Sequence, residues 1–155
     1  MDRVTGRCAL GLFLSVLTAG CAPTLSTMDA PEATPPTRVA TYYLEVECEH
    51  CDVHQLDGRV AASVIAAVPG ARRLSDPSSA DVTIKYGQGD TSICLDCDEP
   101  RFWSWSAQLY IHRGPMELLF AMLSGDVDKF RGKPGPLFRK QFLAYATTHG
   151  WTTYH

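Results

Sequence analysis

The sequence predicts a two-layer α+β fold, with a mixed sheet of three to four strands and helices on one face of it. Three segments, at 41–48, 81–87 and 103–111, alternate apolar and polar residues, which is typical of half-buried strands. Two other segments, near 52–68 and 136–149, repeat their apolar residues at helical spacing. Strands that are apolar on one side only favour this class over a doubly wound parallel sheet, whose strands are apolar throughout.

The predicted order of elements is β-α-β-β-α-α. The first strand directs Tyr42, Leu44 and Val46 to one face. The helix after it has a capping box formed by Asp52 and Gln55, although Asp57, just before Gly58, offers a second possible N-cap. The motif Pro69-Gly70 ends this helix.

The second strand covers residues 81–87, and the motif Gly87-Gln88-Gly89 after it predicts a turn. The third strand has the clearest alternation, and it directs Trp103 and Trp105 to the core side. The stretch MELLFAML at 116–123 is almost wholly apolar and predicts a short helix that covers the core. A last helix starts near Pro136 and ends near Gly150. It collects its apolar residues on one side: Leu137, Phe138, Phe142, Tyr145 and Ala146.

The first twenty residues are set apart from the fold, because they have the layout of a secretory signal peptide. Arg3 and Arg7 give a short basic region, and an apolar run at 8–17 follows that is too short to span a bilayer. The motif Leu17-Thr18-Ala19-Gly20-Cys21 at its end resembles the lipobox of bacterial lipoproteins. We therefore interpret residues 1–20 as a lipoprotein signal peptide.

The resemblance implies that Cys21 carries lipid chains, including palmitate, and becomes the first residue of the mature protein. Two or more chains give stable anchoring to a membrane. Ala22, rather than an aspartate, follows the cysteine, and in enteric lipoproteins this pattern implies sorting to the outer membrane. The expected location is thus the outer membrane, with the domain in the periplasm or at the cell surface.

Residues 21–37 predict a lipidated cysteine followed by a tether, and residues 38–155 predict the folded domain. The stretch APTLSTMDAPEATPPT at 22–37 is rich in Pro and Thr and poor in large apolar residues, so it lacks the means to build a core. If it were fully extended, at ~3.1 Å per residue, it would hold the domain tens of ångströms from the membrane.

Composition limits the possible partners and reactions. The net charge is −3 with 20% charged residues, and no clustered basic face points to nucleic acid. The chain also has no G-x-S-x-G, H-E-x-x-H or phosphate-binding glycine-rich motif. We therefore expect a binding or assembly module rather than an enzyme, with the membrane and a periplasmic or outer-membrane protein as partners.

Two C-x-x-C pairs carry the remaining chemistry: Cys48 with Cys51, and Cys94 with Cys97. A strand–helix–strand connection usually leaves its two strands parallel, so both pairs would leave the sheet at the same rim. In an oxidising compartment we expect the four cysteines to form two disulfides, with no cofactor, and the pairing is open.

Two other interpretations of the four cysteines stay open. They could form a structural zinc site, with His50 and His54 as auxiliary ligands. Alternatively, one pair could exchange electrons, because a C-x-x-C between a strand and a helix is where thioredoxin-like proteins keep a reactive thiol. Thiol redox chemistry is the only enzymatic alternative that the sequence offers.

Overall fold

The computed structural model describes residues 25–29, 33–49, 51–90, 103–126 and 135–152. Within these ranges the chain forms six strands, two α-helices and one 3-10 turn at Pro77–Ser79. The strands are β1 (Leu25–Asp29), β2 (Thr41–Cys48), β3 (Arg72–Arg73), β4 (Val82–Asp90), β5 (Trp103–Arg113) and β6 (Met116–Asp126), and the helices are α1 (Val53–Ala67) and α2 (Gly135–Thr148).

All six strands form one sheet in the order β1-β6-β5-β4-β2-β3. β2 is parallel to both of its neighbours, and every other neighbouring pair is antiparallel. The sheet is thus mixed, and the predicted α+β class is confirmed. It has more strands than the three to four that we predicted, because β1, β3 and β6 were not recognised as strands in the sequence.

β2 and β4 lie side by side and parallel, as the strand–helix–strand rule predicts. Their register runs from Tyr42 opposite Val82 to Cys48 opposite Gln88. At the other end of this pair, one Asp81 carboxylate oxygen accepts hydrogen bonds from the backbone N–H groups of Ala40 and Thr41, each at 2.8 Å. This carboxylate therefore fixes the register where both strands begin.

Helix α1 begins where the capping box predicts. The Asp52 side chain accepts hydrogen bonds from the backbone N–H groups of His54 and Gln55, so Asp52 is the N-cap and the alternative start at Asp57 is wrong. The buried side of the helix is formed by Leu56, Val60, Ser63, Val64 and Ala67. After the helix, Gly70 has a φ of 85°, which favours glycine and reverses the chain towards β3.

The core lies between one face of the sheet and the two helices. Trp105 on β5 and Tyr86 on β4 are stacked, and Phe138 of α2 meets both rings edge-on, at centroid distances of 5.6 and 5.3 Å. Phe138 is fully buried, and burying a side chain of this size contributes about 1.5–3 kcal/mol. The predicted inward orientation is confirmed for Trp105, while the side chain of Trp103 lies outside the described residues.

The predicted helix at 116–123 is wrong, because this stretch belongs to strand β6. Gly114, with a φ of 61°, and Pro115 form a two-residue turn, so β6 folds straight back along β5 with Met116 opposite Arg113. A register shift at Leu109 and Tyr110 then leaves Phe120 as an extra residue in β6. β6 also has apolar residues on its other face, where Leu119 and Met122 pair with Tyr110 and Gln108. Together with the bulge, this removed the alternation that identifies a strand.

The predicted tether over residues 21–37 is also corrected where the structure describes it. Leu25–Asp29 forms edge strand β1, antiparallel to β6. Further along, the Pro36 carbonyl accepts a hydrogen bond from Trp151 Nε1 at 2.6 Å, and Ala33 packs against the core. An edge strand has one neighbour and needs few large apolar residues, so a low apolar content did not exclude one here.

The motif Gly87-Gln88-Gly89 does not form a turn, since β4 continues through it to Asp90. Gln88 is buried on the core side, where its Oε1 accepts a hydrogen bond from the Tyr86 hydroxyl at 3.2 Å. The two glycines lie on the other face of the strand, so the motif positions part of the candidate site described next.

Candidate functional site

The first C-x-x-C pair forms a disulfide between Cys48, the last residue of β2, and Cys51, just before α1. Their Cα atoms are 5.9 Å apart. Cys48 is half-buried and packs against the core, whereas Cys51 is exposed. The disulfide therefore closes the short connection between the end of a strand and the start of a helix.

The shared rim that we predicted is confirmed for the strands themselves. Cys48 lies opposite Gln88, and β4 ends two residues later at Asp90. The second pair, Cys94 and Cys97, follows Asp90 in the sequence but lies outside the described residues. Cys21 and His50 also lie outside them, and so do the pairings that would involve these cysteines.

The structure does not bring the predicted zinc ligands together in the part of the chain that it describes. Cys48 and Cys51 are bonded to each other, and His54 is exposed in the first turn of α1. Among the described residues, no group of three His, Cys, Asp or Glu side chains is arranged to hold a metal ion. In this oxidised form the first pair has no thiolate to offer as a ligand.

Asp52 bears directly on a redox role for this disulfide. Reactive thiols in C-x-x-C motifs depend on unpaired N–H groups and positive potential at a helix N-terminus to stabilise a thiolate. Here the Asp52 carboxylate already accepts hydrogen bonds from two of those N–H groups, at 3.0 and 3.1 Å. Its negative charge next to Cys51 opposes a thiolate, so Asp52 weakens the activation that a helix N-terminus provides.

A second candidate site lies on the face of the sheet opposite the helices, which we call the open face. In the described chain no helix packs on the central part of this face. On the middle strands the side chains of this face are mostly polar or charged: Glu45 and Glu47 on β2, Lys85 on β4, and Ser104, Ser106, Gln108 and Tyr110 on β5. β6 adds Ser124 and two apolar residues, Leu119 and Met122, which lie opposite Tyr110 and Gln108.

A depression of about 270 Å³ lies near the middle of the open face. Gly87 provides its floor, because a Cβ atom built there meets only Ser106 Oγ, at 3.9 Å. The walls are formed by side chains of the three neighbouring strands: Glu45, Glu47, Lys85, Ser106 and Gln108. The depression therefore offers carboxylate, amide, hydroxyl and ammonium groups within one concave space.

Gly89, two residues after Gly87 on the same face of β4, lies between the depression and the rim of the sheet. A Cβ atom built at Gly89 would lie 3.1 Å from a carboxylate oxygen of Glu49, so the Glu49 side chain occupies the space above the glycine. Glu45, Glu47 and Glu49 are all exposed along the same side of β2. This part of the open face is consequently acidic.

Lys85 lies at the edge of the depression, and its charge is partly neutralised. Its Nζ is 2.6 Å from Glu117 Oε2 and 4.9 Å from the centre of the Tyr110 ring. The hydrogen bond to Glu117 is the main cause that raises the pKa of Lys85 above its usual value. Lys85 is thus a fixed cation held by β6 and not a proton donor poised for neutral pH.

Three side chains beside this ion pair have the residue types of a catalytic triad but not its geometry. His112 Nε2 lies 3.2 Å from Thr83 Oγ1 and 3.6 Å from Glu117 Oε1. In a triad the base uses one ring nitrogen for the nucleophile and the other for the acid, whereas here both partners lie at the same nitrogen. Thr83 is also fully buried, so the group stabilises the sheet and has no access to a substrate.

The residues of the depression were not predicted as a site from the sequence. Alternation placed Glu45, Glu47, Ser106 and Gln108 on the solvent side of their strands, but a solvated face carries no motif. The signal that could have found them is Gly87 within a strand, because glycine inside a strand often marks close approach by another group.

No protein-family model matches the chain, and no curated protein matches it. Among solved structures, the chain is similar to a PelC dodecamer from Paraburkholderia phytofirmans, with 10% sequence identity, a TM-score of 0.46, and coverage of 86% of this chain and 100% of that chain. It is also similar to a DUF4136 family protein from Bacteroides thetaiotaomicron, with 10% identity, a TM-score of 0.48, and coverage of 84% and 97%. Such values carry no statement about function, which must come from this chain's own residues.

No helix in the described part of the chain is long and apolar enough to cross a membrane.

Proposed function

We propose that the chain is a bacterial lipoprotein that is acylated at Cys21, and that its domain binds a periplasmic or outer-membrane protein without catalysing a reaction. The lipobox-like motif before Cys21 supports the anchor, and with it a location at the outer membrane. The disulfide between Cys48 and Cys51 is consistent with an oxidising compartment, where such bonds persist.

The observation that carries the binding proposal is the depression around Gly87 on the open face. A two-layer fold needs only one face of its sheet to build a core, and here the helices cover the face opposite Gly87. The open face presents hydrogen-bonding groups on rigid strands, which fix their positions better than loops do. Glu45, Glu47 and Gln108 would then contact polar groups of the partner, while Gly87 admits one of its side chains.

A photo-crosslinking residue introduced at Gln108 tests the binding proposal in cells that export the full chain. The matched control places the same residue at Ala62, which is exposed on α1 in the helical layer. We expect a discrete protein adduct from Gln108 and none from Ala62. Equal adducts from both positions, or one from Ala62 alone, would refute binding through the open face.

The anchor is tested separately by intact mass and by membrane fractionation. The wild-type chain should carry the mass of a diacylglyceryl group and an acyl chain on Cys21 and sediment with membranes. The Cys21→Ser variant should remain unprocessed and lack that mass. A wild-type chain without lipid would show that residues 1–20 are an ordinary signal peptide.

Thiol exchange is the second candidate function, because the Cys48–Cys51 disulfide joins a strand to a helix, as the redox interpretation requires. Equilibration in glutathione buffers, with Cys94 and Cys97 replaced by serine, isolates this pair. A bond with a structural role should stay oxidised in buffers that reduce exchange-active disulfides. Ready reduction, together with catalysed turnover of a model disulfide, would favour the redox function.

A further inference from the structure

We infer that the rim of the sheet that carries the Cys48–Cys51 disulfide faces the membrane, at a short distance set by the chain itself. This inference rests on the lipid anchor at Cys21 proposed above. It differs from the tether that the sequence predicted, which would hold the domain tens of ångströms from the bilayer.

The first step is the length of chain between the anchor and the sheet. β1 begins at Leu25, paired with Gly125 near the end of β6. Only residues 22–24 lie between Cys21 and Leu25. Four residue steps span at most ~14 Å when fully extended, so the start of β1 must lie within that distance of the lipidated cysteine.

The second step is the position of that strand end in the sheet. β1 is antiparallel to β6, which is antiparallel to β5, so the start of β1 lies at the same rim as Ser104, which pairs with Asp126. The pairing continues across the sheet through β4 to Cys48, which lies opposite Gln88. The rim near the anchor therefore includes the end of β2 and the start of α1.

The described residues after Leu25 do not lengthen the connection, because contacts at Thr27 and Pro36 hold them against the domain. Thr27 Oγ1 accepts a hydrogen bond from Gln141 Nε2 of α2 at 2.7 Å, and the Pro36 carbonyl accepts one from Trp151. Both contacts join this segment to the C-terminal part of the chain. The domain and the start of β1 therefore move together.

The charge of the rim indicates that electrostatic attraction to the lipid headgroups would not hold the domain at the membrane. Glu47, Glu49 and Asp52 are exposed there, and carboxylates are not attracted to a bilayer that contains anionic lipids. The lipid on Cys21, rather than the rim itself, would hold the domain in place. The strands then stand away from the bilayer, and the depression beside Ser106 opens sideways, towards a partner at the same membrane surface.

Energy transfer from two positions on β6 to acceptor-labelled lipid tests this orientation. Ser124 lies near the rim, while Met116 lies at the opposite end and is 58% exposed. Eight residue steps of a strand separate them by ~26 Å. The mature lipoprotein, with a donor dye on an unnatural residue at either position, is reconstituted into phosphatidylethanolamine–phosphatidylglycerol vesicles that contain headgroup-labelled acceptor.

We expect higher transfer efficiency from Ser124 than from Met116. A variant with twenty Gly and Ser residues inserted between Ala22 and Pro23 should lose most of this difference. Equal efficiencies in the wild-type lipoprotein, or a higher value at Met116, would overturn the orientation while leaving the anchor intact. Absence of lipid on Cys21 in the intact mass would overturn both proposals, so the two failures are distinguishable.

Discussion

At the scale of single residues, Arg73 and Asp57 join the helical layer to the edge of the sheet. Arg73 forms two hydrogen bonds with the Asp57 carboxylate, at 2.6 and 2.8 Å, and a third with the carbonyl of Leu44 on β2, at 3.0 Å. After β3, the backbone N–H of Leu74 still donates a hydrogen bond to the Tyr42 carbonyl of β2, at 2.8 Å. The Arg73 guanidinium binds the Leu44 carbonyl, two residues further along β2. It thereby covers part of an edge that could otherwise pair with another chain.

We expect the Asp57→Asn variant to be less stable than wild type at neutral pH by about 0.5–1 kcal/mol, because both partners are partly exposed. The hydrogen bond from Arg73 is the main cause that lowers the pKa of Asp57 below its ordinary value of 3.8. A carboxyl group whose pKa is lowered in the folded state stabilises the fold at pH values above its ordinary pKa. This stability is lost as the pH falls through the folded-state pKa.

Urea unfolding at pH 7, 5 and 3 measures this effect. The difference between wild type and Asp57→Asn should be nearly constant from pH 7 to 5 and smaller at pH 3. In an Arg73→Ala background the pH-dependent part should disappear. A difference that does not change with pH would mean that the ion pair does not contribute.

At the scale of elements, two glycines occupy positions with opposite requirements. Gly114 has a φ of 61° in the turn between β5 and β6, a conformation that favours glycine. Gly58 lies within α1 and is exposed, and a Cβ atom built there meets nothing within 4 Å. The same substitution should therefore have opposite effects at the two sites.

Gly114→Ala should destabilise the protein by about 1 kcal/mol, because alanine is strained in the left-handed region. Gly58→Ala should stabilise it by about 0.5–1 kcal/mol, since glycine is a poor helix former. Chemical denaturation of the two variants beside wild type measures both effects. Two shifts of the same sign would show that the turn or the helix is described incorrectly.

The disulfide should make a limited contribution to stability, because it closes a loop of only four residues. Loop-closure entropy for such a length corresponds to about 2 kcal/mol. We expect the Cys48→Ser, Cys51→Ser double variant to remain folded and to lose no more than this in urea unfolding. Complete unfolding of the double variant would mean that the bond holds more of the domain than its short loop implies.

The elements that the sequence predicted well are those whose patterns are local. The capping box at Asp52 located α1, and the alternation around Leu44 and Leu109 located β2 and β5. The failures have non-local causes. Apolar residues on both faces and a bulge at Phe120 hid the period of β6. The pairing that makes Leu25–Asp29 a strand is with residues about a hundred positions later.

The candidate site was harder to predict for the same reason. The C-x-x-C spacing pointed to Cys48 and Cys51, and topology put them correctly at the rim of β2 and β4. The depression is formed by side chains of three strands around a central glycine, and no local pattern predicts such a group. Its members become neighbours only when the register between β2, β4 and β5 is known.

At the scale of the whole molecule, the two proposals assign different tasks to different surfaces. The short chain to Cys21 would place the rim beside Cys48 at the membrane, and the open face around Gly87 would receive the partner. The helical layer closes the core on the other face of the sheet. We propose that the partner binds in the depression on the open face.

The most direct test of this claim fills the depression and measures the affinity for the partner captured from Gln108. Gly87→Phe places a ring in the depression, with space around the new Cβ atom, and Ala62→Phe adds the same ring to the helical layer. Each variant is first shown by urea unfolding to be folded at the assay temperature. We predict a Kd at least about tenfold higher for Gly87→Phe, equivalent to 1.4 kcal/mol, and an unchanged Kd for Ala62→Phe. An unchanged Kd for Gly87→Phe would contradict the claim.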